Sequence, residues 1–275
     1  MMTGIMRLNL GRIAYLGFCT LVFVFLVAPI IVIVPLSFNA EPYFTFTEEM
    51  LRLDADAWSL RWYREIIHSE AWVRSLVNSL VIGVSATILA TFLGTMAALG
   101  LASSAMPARR AIMGVIISPM VTPVIIAAAG MFFFYSELGL GQTYLSIILA
   151  HAALGVPFVV VTVTATLAGY DPNFNNAAAS LGAAPWTIFR RVQFPLIAPG
   201  VISGALFAFA VSFDEVVVVL FMAGVEQRTI PRQMWSGIRE QISPAILAIA
   251  TFLIVFAVLL LLTVGWLRRR EGSRA

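Results

Sequence analysis

The chain has 275 residues, 60% of them hydrophobic and 11% charged, with a mean hydropathy of +0.95. No single water-soluble core can hide so many apolar side chains, so a bilayer has to solvate them. The net charge of +3 and pI near 9.4 do not signal nucleic acid, because the basic residues, all 17 of them Arg by coding bias, gather at the ends of apolar runs.

Residues 1–11 carry Arg7, and Arg12 follows at the head of an apolar run from Ile13 to Phe38. That run is longer than the ~7–15-residue core of a signal peptide. It is long enough to cross ~30 Å of hydrocarbon. It reads as the first transmembrane segment, kinked or stopped by Pro29 and Pro35. Cys19 lies inside it as a small lipid- or core-facing residue, and a lone Cys excludes an intrachain disulfide framework and a CxxC metal site. Asn39 to Trp72 is the longest polar stretch and is net acidic. Its Tyr43, Phe44, Trp58, Trp62 and Tyr63 suit membrane-interface anchors. Within it, Ser59 to Ile67 reads either as an amphipathic helix on the interface or as a solvated loop.

The second segment, Leu76 to Ser103, carries Gly83, Gly94, Ala98 and Gly100, small residues that permit close helix contacts. Ser104 to Arg110 forms a short loop with Arg109 and Arg110. The third segment, Ala111 to Tyr135, holds Pro119 and Pro123, which predict a kink, either lining a path or buried in packing. After a turn over Ser136 to Gln142, the fourth segment runs from Thr143 to Leu167 with His151 and Pro157. An intramembrane His is a candidate functional residue, with a hydrogen-bonded packing role as the alternative. The fifth segment spans Gly200 to Met222, a polar stretch with a short surface helix covers Ala223 to Ser243, and the sixth spans Pro244 to Leu267. Arg7, Arg12, Arg109, Arg110, Arg190, Arg191, Arg268 to Arg270 and Arg274 then fall on one side of six spans. The positive-inside rule makes that side cytoplasmic, with both termini on it.

Between the fourth and fifth segments, Asp171 to Pro199 is not built as a flexible linker. Asp171 and Pro172 suit a helix start, and Asn173 to Leu181 is Ala-rich with Phe174, Ala178 and Leu181 on one face. Gly182 suits a sharp bend. A second short helix over Pro185 to Phe194 then carries Trp186, Phe189, Arg190 and Arg191, closed by Pro195 and Pro199. This compact helix–turn–helix resembles the EAA loop of the membrane subunits of binding-protein-dependent ABC importers. The pattern of Glu-Ala-Ala, three residues, Gly, and later Leu-Pro appears as Asn176-Ala177-Ala178, Gly182 and Phe194-Pro195. Asn176 replaces the usual Glu, and Phe194 the usual Leu.

The resemblance implies that this loop sits on a separate ATPase, with Asn176, Ala177, Ala178, Gly182, Ala183, Arg190, Arg191 and Pro195 as its coupling residues. Arg190 and Arg191 meet either the ATPase or lipid phosphates. The chain has no GxxxxGK[ST], HExxH, GxSxG or CxxC motif. It is therefore expected not to be an enzyme and to hold no cofactor, with ATP and Mg on the partner.

Ser212-Phe213-Asp214-Glu215 lies in the middle of the fifth segment. A carboxylate at the centre of a spanning helix costs about 2.5–3.5 kcal/mol. Neighbouring residues differ by ~100° around a helix, so both carboxylates share a cavity only if it is wide or the helix unwinds. Asp214 and Glu215, with His151, are the candidate substrate-path residues, and pairing with a buried donor such as Ser212, His151 or an Arg of a partner subunit is the alternative. Negative charge there favours a cation over an anion.

The stretches Leu149-Ala150-His151, Pro157-Phe158-Val159, Ser212 to Val217, Thr229-Ile230-Pro231 and Ser243-Pro244 resemble the spermidine/putrescine permease branch, and its second permease type more than its first. That branch usually has Asp-Asp where this chain has Asp214-Glu215. The expected fold is all-α and polytopic, with six transmembrane helices in the type I importer-permease (MetI-like) arrangement. Residues 1–75 form the first helix and outer loop, 76–267 the core, with the loop 171–199, and 268–275 a cytoplasmic tail. The partners implied are an ABC ATPase dimer, a second homologous permease, a periplasmic solute-binding protein and membrane lipid. Opine, amino-acid-derivative, iron or thiamine permeases remain open within the resemblance. A proton-driven secondary transporter using Asp214, Glu215 and His151 as a relay is the rival from another class.

Overall fold

The structure is a computed structural model and describes residues 10–103, 105–240 and 243–272. Arg7 and Arg274, and the side chains of Arg268 to Arg270, lie outside what is described. The described residues are almost entirely helical, with one isolated bridge between Asn39 and Trp58. The chain divides into two compact units, Met1–Glu70 with Gly237–Ala275, and Ala71–Ser236.

In the first unit, α1 (Leu10–Leu36) contains both Pro29 and Pro35. Pro29 therefore does not stop the helix, which ends one residue past Pro35. The acidic stretch that follows is built around a buried Asn39. Its Nδ2 donates to the carbonyls of Tyr43 (3.3 Å) and Thr45 (3.2 Å), and its Oδ1 accepts from Glu41 N (2.9 Å). A single turn, α2 (Glu48–Leu51), is capped by the Thr47 hydroxyl, and a 3-10 turn covers Ala55–Ala57. The amphipathic reading of residues 59–67 is realised as α3 (Arg61–His68). Its Trp62 is buried against Ala245 and Ala248, and the indole N–H donates to Asn39 O at 2.7 Å. Burial of that one large ring decides helix over loop, since its N–H keeps a partner.

The second unit opens with α4 (Glu70–Ala102), which starts six residues before the expected Leu76 because Trp72 and Ser75 are already buried. The third apolar run is not one kinked helix. It is α5 (Arg109–Val121) and α6 (Val124–Glu137), set at 104° to each other. The break belongs to Pro123 alone: it has no N–H, and it holds Thr122 extended at ψ 132°. Pro119 stays inside α5 because the carbonyl it leaves unpaired, that of Val115, accepts from Ser118 Oγ at 2.7 Å.

After a turn with Gly139 at φ +70°, α7 (Tyr144–Ala168) begins at a Thr143 cap. Then come α8 (Asn173–Ser180) and α9 (Pro185–Ile188). The second loop helix does not close at Pro195 and Pro199. A π-turn over Phe189–Gln193 carries it straight into α10 (Phe194–Asp214), with Pro195 in the first turn and Pro199 inside. In the widened turn Phe194 N reaches back five residues to Phe189 O, so the chain continues as helix where a proline was expected to end it. The fifth apolar run ends as helix at Asp214 and resumes as α11 (Val217–Met222). The last elements are α12 (Ile230–Glu240) and α13 (Ala245–Gly272), and α13 packs with α1 and α3 in the first unit.

Among the described residues, α1, α4, α7 and the Pro185–Asp214 rod are each long and apolar enough to cross a membrane. The bent α5–α6 pair supplies one more if it is a single span, and α13 adds an apolar Ala245–Leu259 stretch. The core of the second unit is where α4, α7 and α10 meet, through Ala86, Ala90, Val159, Val163, Ile197 and Ala208. Glycines set that spacing. A Cβ on Gly94 would lie 2.6 Å from Val159 Cβ, and one on Gly204 2.8 Å from Val159 Cα. Gly100, expected among the contact glycines, has nothing within 4 Å of such a Cβ.

Gly204→Ala therefore forces α7 and α10 apart and should destabilise the protein by about 1–3 kcal/mol. Gly100→Ala should be neutral or stabilising by up to about 1 kcal/mol. Thermal unfolding of the two variants in detergent checks the contrast.

Candidate functional site

Adjacent carboxylates inside a span can face one cavity only if it is wide or the helix unwinds, and the structure shows an unwinding. Glu215 has an extended backbone (φ −71°, ψ 119°) between α10 and α11, so the spanning rod is interrupted directly after Asp214. The two carboxylates line one pocket but differ in their bonding. Asp214 is exposed and, with Ala210, Val211 and Glu215, lines an open pocket of about 360 Å³. It has no hydrogen-bond or ion-pair partner among the described residues. Glu215 is half-buried and turned onto the backbone, its Oε1 accepting from Val217 N (2.7 Å) and Val218 N (3.0 Å).

His151 lies on α7 and is 1% exposed. Its Nδ1 is 2.8 Å from Ser212 Oγ, and Nε2 has no partner among the described residues. The ring thus ties α7 to the last turn of α10, two residues before Asp214. The hydrogen bond brings His151 to Ser212 rather than to either carboxylate.

The loop over residues 171–199 is an exposed elbow. Asp171 Oδ1 accepts from Asn173 N at 2.9 Å, which starts α8 as its sequence position requires. Tyr170 Oη bonds to Asn175 Oδ1, and burial, then the Asp171 charge, pushes its phenol above the ordinary range. Gly182 takes φ +81°, a left-handed bend that suits glycine. Asn176, Ala177, Gly182, Arg190, Arg191 and Pro195 are exposed, and Ala178 and Ala183 are half-buried. Leu181 is 89% exposed and Trp186 68%, a large apolar display for a segment outside the spans. Trp186 and Phe189 lie 5.5 Å apart and Phe189 and Phe194 5.8 Å apart as tilted ring pairs, so aromatic contacts run along the widened turn.

Two features were not readable from sequence. One is the π-turn. The other is Arg232, whose guanidinium lies against α11. Arg232 falls within the polar stretch from Ala223 to Ser243, where no local pattern announces a contact thirteen residues back along the chain.

Apolar spans, a broken rod with a free carboxylate in an open pocket, and an exposed stiff elbow define a polytopic membrane transport subunit. The chain belongs to the binding-protein-dependent transport system inner membrane component family, whose profile matches residues 90–272. It is 30% identical over 256 residues to the spermidine/putrescine transport system permease protein PotC of Haemophilus influenzae, covering 93% of this chain and 96% of that one. It is 31% identical over 261 residues to the putrescine transport system permease protein PotI of Escherichia coli K12, covering 92% and 90%. A bacterial ABC transporter involved in the import of the acidic polysaccharide alginate shares the fold, with a TM-score of 0.73 at 16% identity over 94% of this chain and 97% of that one. The all-α permease fold and the role of transport subunit are therefore those expected from the sequence.

Ser212→Ala leaves the buried His151 ring without its hydroxyl partner and should cost about 1–3 kcal/mol. His151→Leu with Ser212→Ala removes both polar groups together and should cost less than the sum of the single changes. Unfolding midpoints of the three variants measure this coupling.

Proposed function

We propose that this chain forms half of the translocation path of an ATP-driven importer for small cationic amines of the spermidine and putrescine class. Asp214 carries the proposal: a carboxylate without a partner, exposed in an open pocket where a spanning helix is unwound. Leaving such a group ionised within a span is costly unless water or a cation meets it. An amine cargo supplies the cation, and the relatives named for spermidine and putrescine agree with that charge. His151 stands behind the site through Ser212.

The other half of the path is a second, homologous permease. ATP and Mg belong to a separate ATPase dimer, which receives α8 and the bend at Gly182. Asn176, Ala177, Ala178, Gly182, Ala183, Arg190, Arg191 and Pro195 form or flank that seat, and Phe174, Leu181 and Trp186 are its apolar knobs. Such a display is expected where a partner protein covers it. The stiff passage from α9 through the π-turn into α10 then carries a push on the elbow toward Asp214. A periplasmic solute-binding protein delivers the cargo on the opposite face. In this reading both termini lie in the cytoplasm, which the Arg-rich loops support through the positive-inside rule.

The test is uptake of radiolabelled putrescine by the assembled transporter in vesicles. Uptake should require ATP and persist when the proton gradient is collapsed. Asp214→Asn should reduce uptake at low substrate about tenfold or more, as expected for loss of a charged partner. Unchanged uptake at normal membrane levels would remove Asp214 from the path.

Leu181→Asp alters a side chain that is 89% exposed, so folding should be unaffected. Burying a charge in the ATPase seat should instead lower ATP-driven uptake about tenfold. Co-purification of the ATPase with the variant, alongside uptake, checks whether the seat is the cause.

A further inference from the structure

The interruption that exposes Asp214 is held at both ends of α11. At its start, Glu215 Oε1 accepts from Val217 N at 2.7 Å and Val218 N at 3.0 Å, two of the N–H groups that any helix start leaves unpaired. At its finish, Arg232 Nη1 donates to the carbonyls of Val219 (2.6 Å), which also accepts from Ala223 N (3.0 Å), of Leu220 (3.2 Å), in the last turn where carbonyls lack intrahelical partners, and of Ala223 (3.2 Å), just past the helix. An acid at the first end and a guanidinium at the second both match the helix dipole. With six residues, α11 is too short to persist by its own hydrogen bonds. Buried Val218, Val219 and Met222 anchor one face of it, and the two side chains satisfy its ends.

We infer that the neighbouring carboxylates have separate jobs, with Asp214 meeting the cation while Glu215 and Arg232 are positioning residues that clamp α11 and so keep Asp214 turned into the pocket. This rests on the path role proposed for Asp214. In this inference Glu215 acts through its acceptor oxygen, which two backbone N–H groups already engage, although its carboxylate also lines the pocket. Gln retains such an oxygen, whereas Ala does not. The distinction between charge and acceptor is therefore open to substitution.

The experiment measures the KM and maximal rate of ATP-driven putrescine uptake by the assembled transporter, together with amide hydrogen exchange over residues 215–223 without substrate. Asp214→Asn should raise KM about tenfold with exchange unchanged, and Glu215→Ala and Arg232→Met should raise KM about tenfold with faster exchange. Glu215→Gln should stay within about twofold of the unmodified protein in both readouts. An E215Q variant as impaired in KM as D214N, or an E215A variant with unchanged exchange, overturns the inference. Should E215A fail to assemble, the comparison of E215Q with D214N decides alone. If D214N leaves KM unchanged while E215A speeds exchange, the path role falls and the clamp stands. If the unmodified protein takes up no putrescine, the amine reading falls, and exchange in E215A and E215Q decides the clamp.

Discussion

Hydrocarbon offers no hydrogen-bond partner, so every interruption of a spanning helix needs the protein to complete the freed backbone groups. That constraint explains the most specific features of this chain. Where Pro119 frees the Val115 carbonyl, Ser118 answers it and the helix continues. Where the rod stops after Asp214, Glu215 and Arg232 answer for both ends of the short helix beyond. At these two places polar side chains complete the backbone, and Asp214, without such a bond among the described residues, is the carboxylate proposed to meet cargo.

Rigid and broken parts are distributed unevenly. The α4, α7 and α10 core is packed so closely that Gly94, Gly155 and Gly204 leave no room for a methyl group without movement of Val159 or Ala208. Such packing transmits displacement instead of absorbing it. The interruptions lie at its margins: the 104° break before Pro123, the π-turn between elbow and rod, and the unwound residues after Asp214. In the proposed coupling, a push on the elbow would pass through the π-turn and along the well-packed α10 to the unwound segment. The His151–Ser212 bond ties that helix to α7 close to where it ends.

Much of this was legible in the residues. Apolar runs longer than a bilayer is thick marked the spans, and Thr143, Asp171 and Gly182 sit at helix starts and bends where their chemistry belongs. Asp214-Glu215 inside an apolar run already required an unwound helix or a wide cavity. Errors came where a local rule met a nonlocal solution. Pro195 and Pro199 normally end a helix, but a widened turn carries the chain through them. Pro119 and Pro123 look alike in sequence, yet a neighbouring hydroxyl rescues the first. The different fates of Asp214 and Glu215, and the contribution of Arg232, depend on contacts that no local spacing encodes.

The central claim is that Asp214 stands in a watery, cation-selective part of the path. The most direct measurement keeps Asp214, replaces Cys19 with Ser and Ala210, which lines the same pocket, with Cys, then follows modification of the new thiol in the assembled transporter. The account predicts that a positively charged thiosulfonate reacts faster than a negatively charged one, and that putrescine slows both. A thiol that neither reagent reaches, or that putrescine does not protect, would contradict it.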